Sequence, residues 1–146
     1  MMKKIVYLVK DKIAPHPTNK IRLGNIAEQE ACQFLQKKNF QLIERNYRCF
    51  HGEIDLIMQD QDDIVFVEVR SRSRSDYGSA LESINKSKRS KIIKAAKHFL
   101  CAKGWMYKVN SRFDIIAIQR TVGKTYLEWI KNAFSVENGY HYEQHY

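Results

Sequence analysis

Between Gly52 and Arg72 apolar and polar positions alternate on either side of a short polar break, Asp60–Asp63, a pattern that predicts two strands joined by a tight turn. If the turn closes on those four residues, Met58 faces Val65, Leu56 faces Val67 and Ile54 faces Val69, which makes one face of the hairpin apolar. The other face then pairs Ile57 with Phe66, Asp55 with Glu68 and Glu53 with Arg70. Like charges placed opposite each other destabilise a sheet, and an unpaired carboxylate in a hairpin this apolar is costly to bury. A cation is therefore expected between Asp55 and Glu68. A divalent metal ion would satisfy both sets of oxygens; Arg70 with water is the plainer alternative.

The same patterning places the other elements. Ala27, Ala31, Phe34 and Leu35 form a helical stripe, predicting a helix from about Ile21 to Lys38 capped by Thr18 or Asn19. Glu28 lies beside that stripe, where a carboxylate suits the field of a helix N-terminus. Asn39-Phe40 ends the helix, Gln41–Cys49 reads as a strand, and a His51-Gly52 turn leads into the hairpin, giving three consecutive antiparallel strands. The basic, polar stretch after Arg70 fits a loop over a phosphate backbone and equally an ordinary solvated loop. A second helix, about Ser79 to Lys103, buries Leu81, Ile84, Ile92, Ala95, Ala96 and Phe99. Lys88 interrupts this stripe and must snorkel outward or meet an anion. With Lys86, Arg89, Lys91, Lys94 and Lys97 alongside, the helix is basic and amphipathic. That suits covering a sheet; membrane attachment is the other use of such a helix. Gly104 stops it. Arg112–Ile118 is a strand with Arg112, Asp114 and Ile116 on one face, Val122-Gly123 is a turn, and Tyr126–Ile130 is a last short strand.

At the N-terminus Ile5–Val9 reads as a short edge strand that Pro15 and Pro17 cut off. The expected organisation is an appendage over 1–20, a domain over 21–134 and a flexible tail over 135–146. The tail's His and Tyr residues are read as a frayed end, not a metal site.

Composition narrows the class. With 146 residues, 44% of them hydrophobic, the chain can bury a core, which excludes global disorder. Lys and Arg number 25 against 16 Asp and Glu, a net charge of +9 that favours an anionic partner, nucleic acid ahead of an acidic membrane surface. The 3 cysteines, Cys32, Cys49 and Cys101, have no C-x-x-C spacing and read as reduced apolar fillers, excluding a disulfide frame or a zinc site. No apolar run approaches the roughly 20 residues of a membrane span, and the start lacks a cleavable signal, so a cytoplasmic location is expected.

Several motifs carry a family resemblance. G-x-x-A-E-x-x-A-x-x-F-L (Gly24–Leu35), E-R-N-Y-R (Glu44–Arg48), G-E-I-D-L-I (Gly52–Ile57) and V-F-V-E-V-R-S-R (Val65–Arg72) resemble the YraN-like family. Tyr77-Gly78, the helix through Leu100, R-F-D (Arg112–Asp114) and W-I-K-N-A-F (Trp129–Phe134) extend the match to about residues 22–134. That family is similar to Holliday junction resolvases within the PD-(D/E)XK restriction-endonuclease-like superfamily. The resemblance implies an α/β fold, a mixed sheet flanked by helices, with Mg²⁺ or Mn²⁺ as cofactor and DNA, more than RNA, as partner. By position, Asp55, Glu68 and Glu28 resemble the metal-binding acids. Arg70 occupies the motif lysine position, and Ile54 stands where the superfamily name has proline. Arginine does not deprotonate and so cannot act as a general base, but it can orient a phosphate, and Lys88 is placed to reach the site from the second helix. Glu28, Asp55, Glu68, Arg70 and Lys88 are thus the candidate catalytic set, with Arg72, Arg74, Lys86, Arg89 and Lys91 holding flanking phosphates. Paired cuts on a junction would call for a homodimer. The expected activity is metal-dependent DNA hydrolysis on branched or single-stranded structures; the alternative is a nucleic-acid-binding module that has kept the fold without catalysis.

Overall fold

The hairpin forms in the register that the alternation predicts. In the computed structural model, which describes residues 3–9, 20–72 and 79–136 and side chains from Gly24 onward in the first helix, β3 (Gly52–Asp60) pairs antiparallel with β4 (Asp63–Arg72). Leu56 lies opposite Val67, Ile57 opposite Phe66 and Met58 opposite Val65. The turn is the two residues Gln61 and Asp62, Gln61 taking the left-handed region at φ 56°.

Around this hairpin stand β1 (Lys3–Val9), α1 (Lys20–Lys37), β2 (Gln41–Cys49), α2 (Lys86–Lys103), β5 (Ser111–Thr121) and β6 (Lys124–Phe134). The six strands make one mixed sheet in the order β1-β6-β5-β4-β3-β2. β2, β3 and β4 form the expected meander, and α2 carries the chain across one face so that β5 joins parallel to β4. β6 returns antiparallel to β5, and β1 is the edge strand on β6, so part of the 1–20 segment is built into the sheet. This is the restriction-endonuclease-like α/β architecture. Leu56, Met58, Val65, Val67 and Ile116 pack beneath Ala27, Ala31 and Leu35 of α1. Ile57, Phe66 and Ile115 pack beneath Ile92, Ala96 and Phe99 of α2. Among the described residues no helix is long and apolar enough to cross a membrane.

Four expectations need correction. Ile54 does not share a face with Leu56: it packs on the α2 side while Leu56 packs on the α1 side. The strand therefore changes facing across Asp55, opposite an Asn46 in the left-handed region at φ 51°. The second helix begins at Lys86, not Ser79. Asn85 caps it by accepting from the Lys88 N–H at 2.8 Å, while Ser79 and Glu82 close a separate turn through reciprocal 3.2 Å bonds. Ile84 is buried all the same. β6 runs past Ile130 to Phe134. Cys101 is exposed and fills nothing, although all three cysteines are free thiols. Arg74, Tyr77, Gly78, the capping pair Thr18 and Asn19, both prolines and the tail from residue 137 lie outside the described residues.

A buried acid on β5 explains two of the motifs. Asp114 has no exposed surface. It accepts from Arg112 Nε at 3.1 Å, Trp129 Nε1 at 3.1 Å and the Asn132 backbone N–H at 3.0 Å. R-F-D and W-I-K-N are thus two halves of one network, with Arg112 also reaching Asp60 at 3.1 Å. At the start of β3, Gly52 lets α2 approach closely: a Cβ there would sit 3.2 Å from Lys91 Cβ and 3.3 Å from the Lys91 carbonyl oxygen. Gly52→Ala is expected to cost about 1–3 kcal/mol in urea denaturation. An unchanged midpoint would mean that α2 has slack to retreat.

Candidate functional site

β4 stays paired with β5 as far as Arg72, but its pairing with β3 stops at Leu56 and Val67. Beyond that point the hairpin forks, and Asp55/Glu68, Ile54/Val69 and Glu53/Arg70 drop out of the expected ladder. The Val69 N–H, which a continuing β3 would accept, is taken at 2.8 Å by Asp55 Oδ2. Asp55 and Glu68 flank the fork, only 8% and 5% exposed. Burial, reinforced by the neighbouring Glu68 charge, pushes the Asp55 carboxyl up to about 8 even though the Val69 N–H pulls it down. Glu28 is also raised. Burial dominates there, the Asn46 side chain and Arg45 oppose it, and Glu53 and Glu68 add to it. From the other face, α2 brings Lys88 Nζ within 3.0 Å of Glu68 Oε1. α2 thus contributes a charged group to the fork, while Glu28 of α1 acts on both acids through its charge.

Among the described residues no three His, Cys, Asp or Glu side chains are gathered into a metal cage. The structure brings Asp55, Glu68 and Lys88 together and leaves Glu28 in the same electrostatic field. Two buried carboxylates with excess negative charge and no Cys or His beside them fit Mg²⁺ or Mn²⁺. Mg²⁺ in particular takes one or two carboxylates, keeps several waters and completes its sphere with substrate phosphate.

Arg70 does not enter the fork. Its Nη2 donates to the Ser83 carbonyl at 2.8 Å, and its Nε is buried without a hydrogen-bond partner. Arg89 is likewise turned inward, donating to the carbonyls of Ile84 at 2.9 Å and Leu81 at 3.1 Å with its guanidinium 5.8 Å from the Phe134 ring. Lys86 and Lys91 are exposed on α2, and Arg72 ends β4. Asn46 is the residue that sequence reasoning missed. Its amide meets Glu28 and its backbone marks where β2 and β3 change facing. An asparagine in mid-strand, a type that tolerates positive φ, was the available signal. A separate cleft of about 620 Å³, lined by Gln59, Asp62, Tyr107 and Asn110, opens at the far end of β3, away from these acids.

Residues 27–118 match the model of a family described as Uncharacterised protein family UPF0102. The chain belongs to this family. UPF0102, the YraN-like family to which the motifs pointed, has similar members in several bacteria. A UPF0102 protein of Psychromonas ingrahamii is 50% identical over 111 residues, 76% of this chain and 88% of that one. One of Nitrosococcus oceani is 42% identical over 115 residues, covering 79% and 93%. Another, of Ectopseudomonas mendocina, is 46% identical over 112 residues, covering 77% and 93%. Glu28, Asp55, Glu68, Arg70 and Lys88 all fall inside the UPF0102 match.

Proposed function

We propose that this UPF0102 protein is a metal-dependent endonuclease that hydrolyses phosphodiester bonds in DNA, on branched or single-stranded structures. The observation that carries this reading is the fork, where Asp55 and Glu68 are buried side by side with too little positive charge to hold both ionised. A Mg²⁺ or Mn²⁺ ion held by these two acids would polarise a phosphoryl oxygen and make water a stronger nucleophile. Glu28 adds to the negative field that draws the cation in. Lys88 lies against Glu68, where an ammonium can neutralise charge growing on a phosphate in the transition state. Lysine can also give up a proton, which arginine at position 70 cannot. Arg70 is then a positioning residue: its bond to Ser83 ties β4 to the turn that leads into α2, and so sets where Lys88 starts. Arg72, Lys86 and Lys91, within an overall charge of +9, supply flanking phosphate contacts.

The test is incubation of labelled junctions, flaps, blunt duplex and RNA with Mg²⁺, Mn²⁺ or chelator. DNA should be cut only with the metal, and Asp55→Ala should lower the rate by at least about a hundredfold. Salt-dependent binding without metal-dependent cutting would sink the nuclease reading and leave the binding module.

A further inference from the structure

The turn between β2 and β3 presents Phe50 with 98% of its surface exposed. Its ring is nevertheless connected to the core through a series of ring contacts. Phe50 meets the His51 ring at 5.5 Å, His51 meets His98 of α2 at 6.3 Å, and His98 Nδ1 is hydrogen-bonded to the Tyr47 hydroxyl. Tyr47 in turn packs edge-on at 5.2 Å against Phe99 in the core. An aromatic ladder thus runs from the α2-side core to the hairpin tip and ends on an open ring. Cations line the way from that tip to the fork. Lys91 packs against Gly52, Lys88 lies one turn earlier beside Glu68, and Lys94 lies one turn later; all three are exposed on α2. Glu53, the acid beside the tip, is paired with Arg48 at 3.3 Å. Past the Phe50-His51 turn, Asp55 follows Gly52 by three residues of strand, on the order of 10 Å, a span of a few nucleotides.

We propose that Phe50 stacks on an unpaired base of a nucleic-acid strand whose phosphates follow Lys94, Lys91 and Lys88 toward Asp55 and Glu68. This rests on the nucleic-acid reading above and names the substrate class, DNA with a single-stranded portion next to the cut. An open aromatic face with phosphate-binding cations alongside is how single strands are held without sequence preference. A duplex offers no free base face except at its ends, so Phe50 discriminates between the two.

The experiment uses the full chain in chelator, so that nothing is cut, with fluorescence anisotropy at low salt. The probes are a labelled oligothymidylate of about 15 nucleotides and a duplex of similar length closed at both ends by non-nucleotide glycol linkers. Phe50→Ala is expected to weaken oligothymidylate binding about five- to a hundredfold and duplex binding less than about twofold, with Phe50→Trp restoring the single-strand affinity. Equal affinity of Phe50→Ala and wild type for the single strand, or an equal loss on both probes, overturns the proposal, as does wild type that binds neither. The two readings fail separately. Phe50-dependent binding with no cutting in Mg²⁺ leaves the stacking site and removes the nuclease; cutting with binding indifferent to Phe50 does the reverse.

Discussion

Asp114→Ala is expected to cost about 3–5 kcal/mol of folding stability, the usual penalty for breaking a buried ion pair from one side. The carboxylate has no exposed surface, and it satisfies an arginine, an indole N–H and a backbone N–H at once. Removing it leaves Arg112 with Asp60 and the Phe40 ring, strands the Trp129 donor in the interior and takes the acceptor from the part-buried Asn132 N–H. Against a typical total of about 5–15 kcal/mol, the variant should sit at the edge of unfolding at room temperature. Asp114→Asn would not rescue it, because both oxygens accept and an amide would turn a donor toward other donors. Urea denaturation followed by tryptophan fluorescence measures the loss, with Trp129 reporting from inside the network. A change below about 1 kcal/mol would mean that Arg112 swings wholly to Asp60 and that water replaces the carboxylate.

That network was half legible in the sequence. The two-residue period placed Arg112, Asp114 and Ile116 on one face, and the structure keeps them there. The partners from β6 were not readable, because Asn132 reaches Asp114 only through a left-handed backbone at φ 52° and a register shift beside Phe113. The central hairpin shows the same division. Its register followed from a short polar turn and strict alternation, and so did the nearness of Asp55 to Glu68. The fork did not follow, because it depends on a side chain taking the place of a ladder acceptor at Val69 and on both β2 and β3 changing facing at Asn46 and Asp55. Alternation describes a regular strand and is silent where the strand is irregular, which here is the candidate site. The misplaced start of α2 has another cause. Leu81 and Ile84 continue the apolar stripe, yet the Ser79–Glu82 pair and the Asn85 cap were local stop and start signals that the stripe outweighed. Arg70 could not be followed to Ser83 without knowing that turn.

Asp55→Asn is expected to act in the opposite direction to Asp114→Ala and to stabilise the metal-free protein in alkaline buffer. Asp55 titrates near 8 in the folded chain, because it is buried beside Glu68, and near 3.8 when exposed. Between those values the folded protein holds a proton that the unfolded chain has released. The contribution is therefore fully present below the exposed value, declines as pH rises, and is exhausted once pH passes about 8. Asparagine is neutral throughout, can still accept the Val69 N–H and can donate to Glu68. Wild type and variant should therefore melt alike near the acid end and diverge toward pH 9, by on the order of 2–5 kcal/mol once screening by Lys88 and water is allowed for. Mg²⁺ must displace the same proton, so it should raise the wild-type melting temperature at pH 8–9, have little effect at pH 5, and leave Asp55→Asn unmoved at either. Thermal melts in chelator and in MgCl₂ across that range decide the matter without any substrate. If Asp55→Asn is no more stable than wild type at pH 9, or if Mg²⁺ stabilises both equally, Asp55 is an ordinary buried carboxyl with compensation elsewhere, and the fork holds no cation. If the two curves separate as described, Asp55 destabilises the metal-free protein because its oxygens are kept for an ion, whereas the Asp114 oxygens are taken up by donors within the chain.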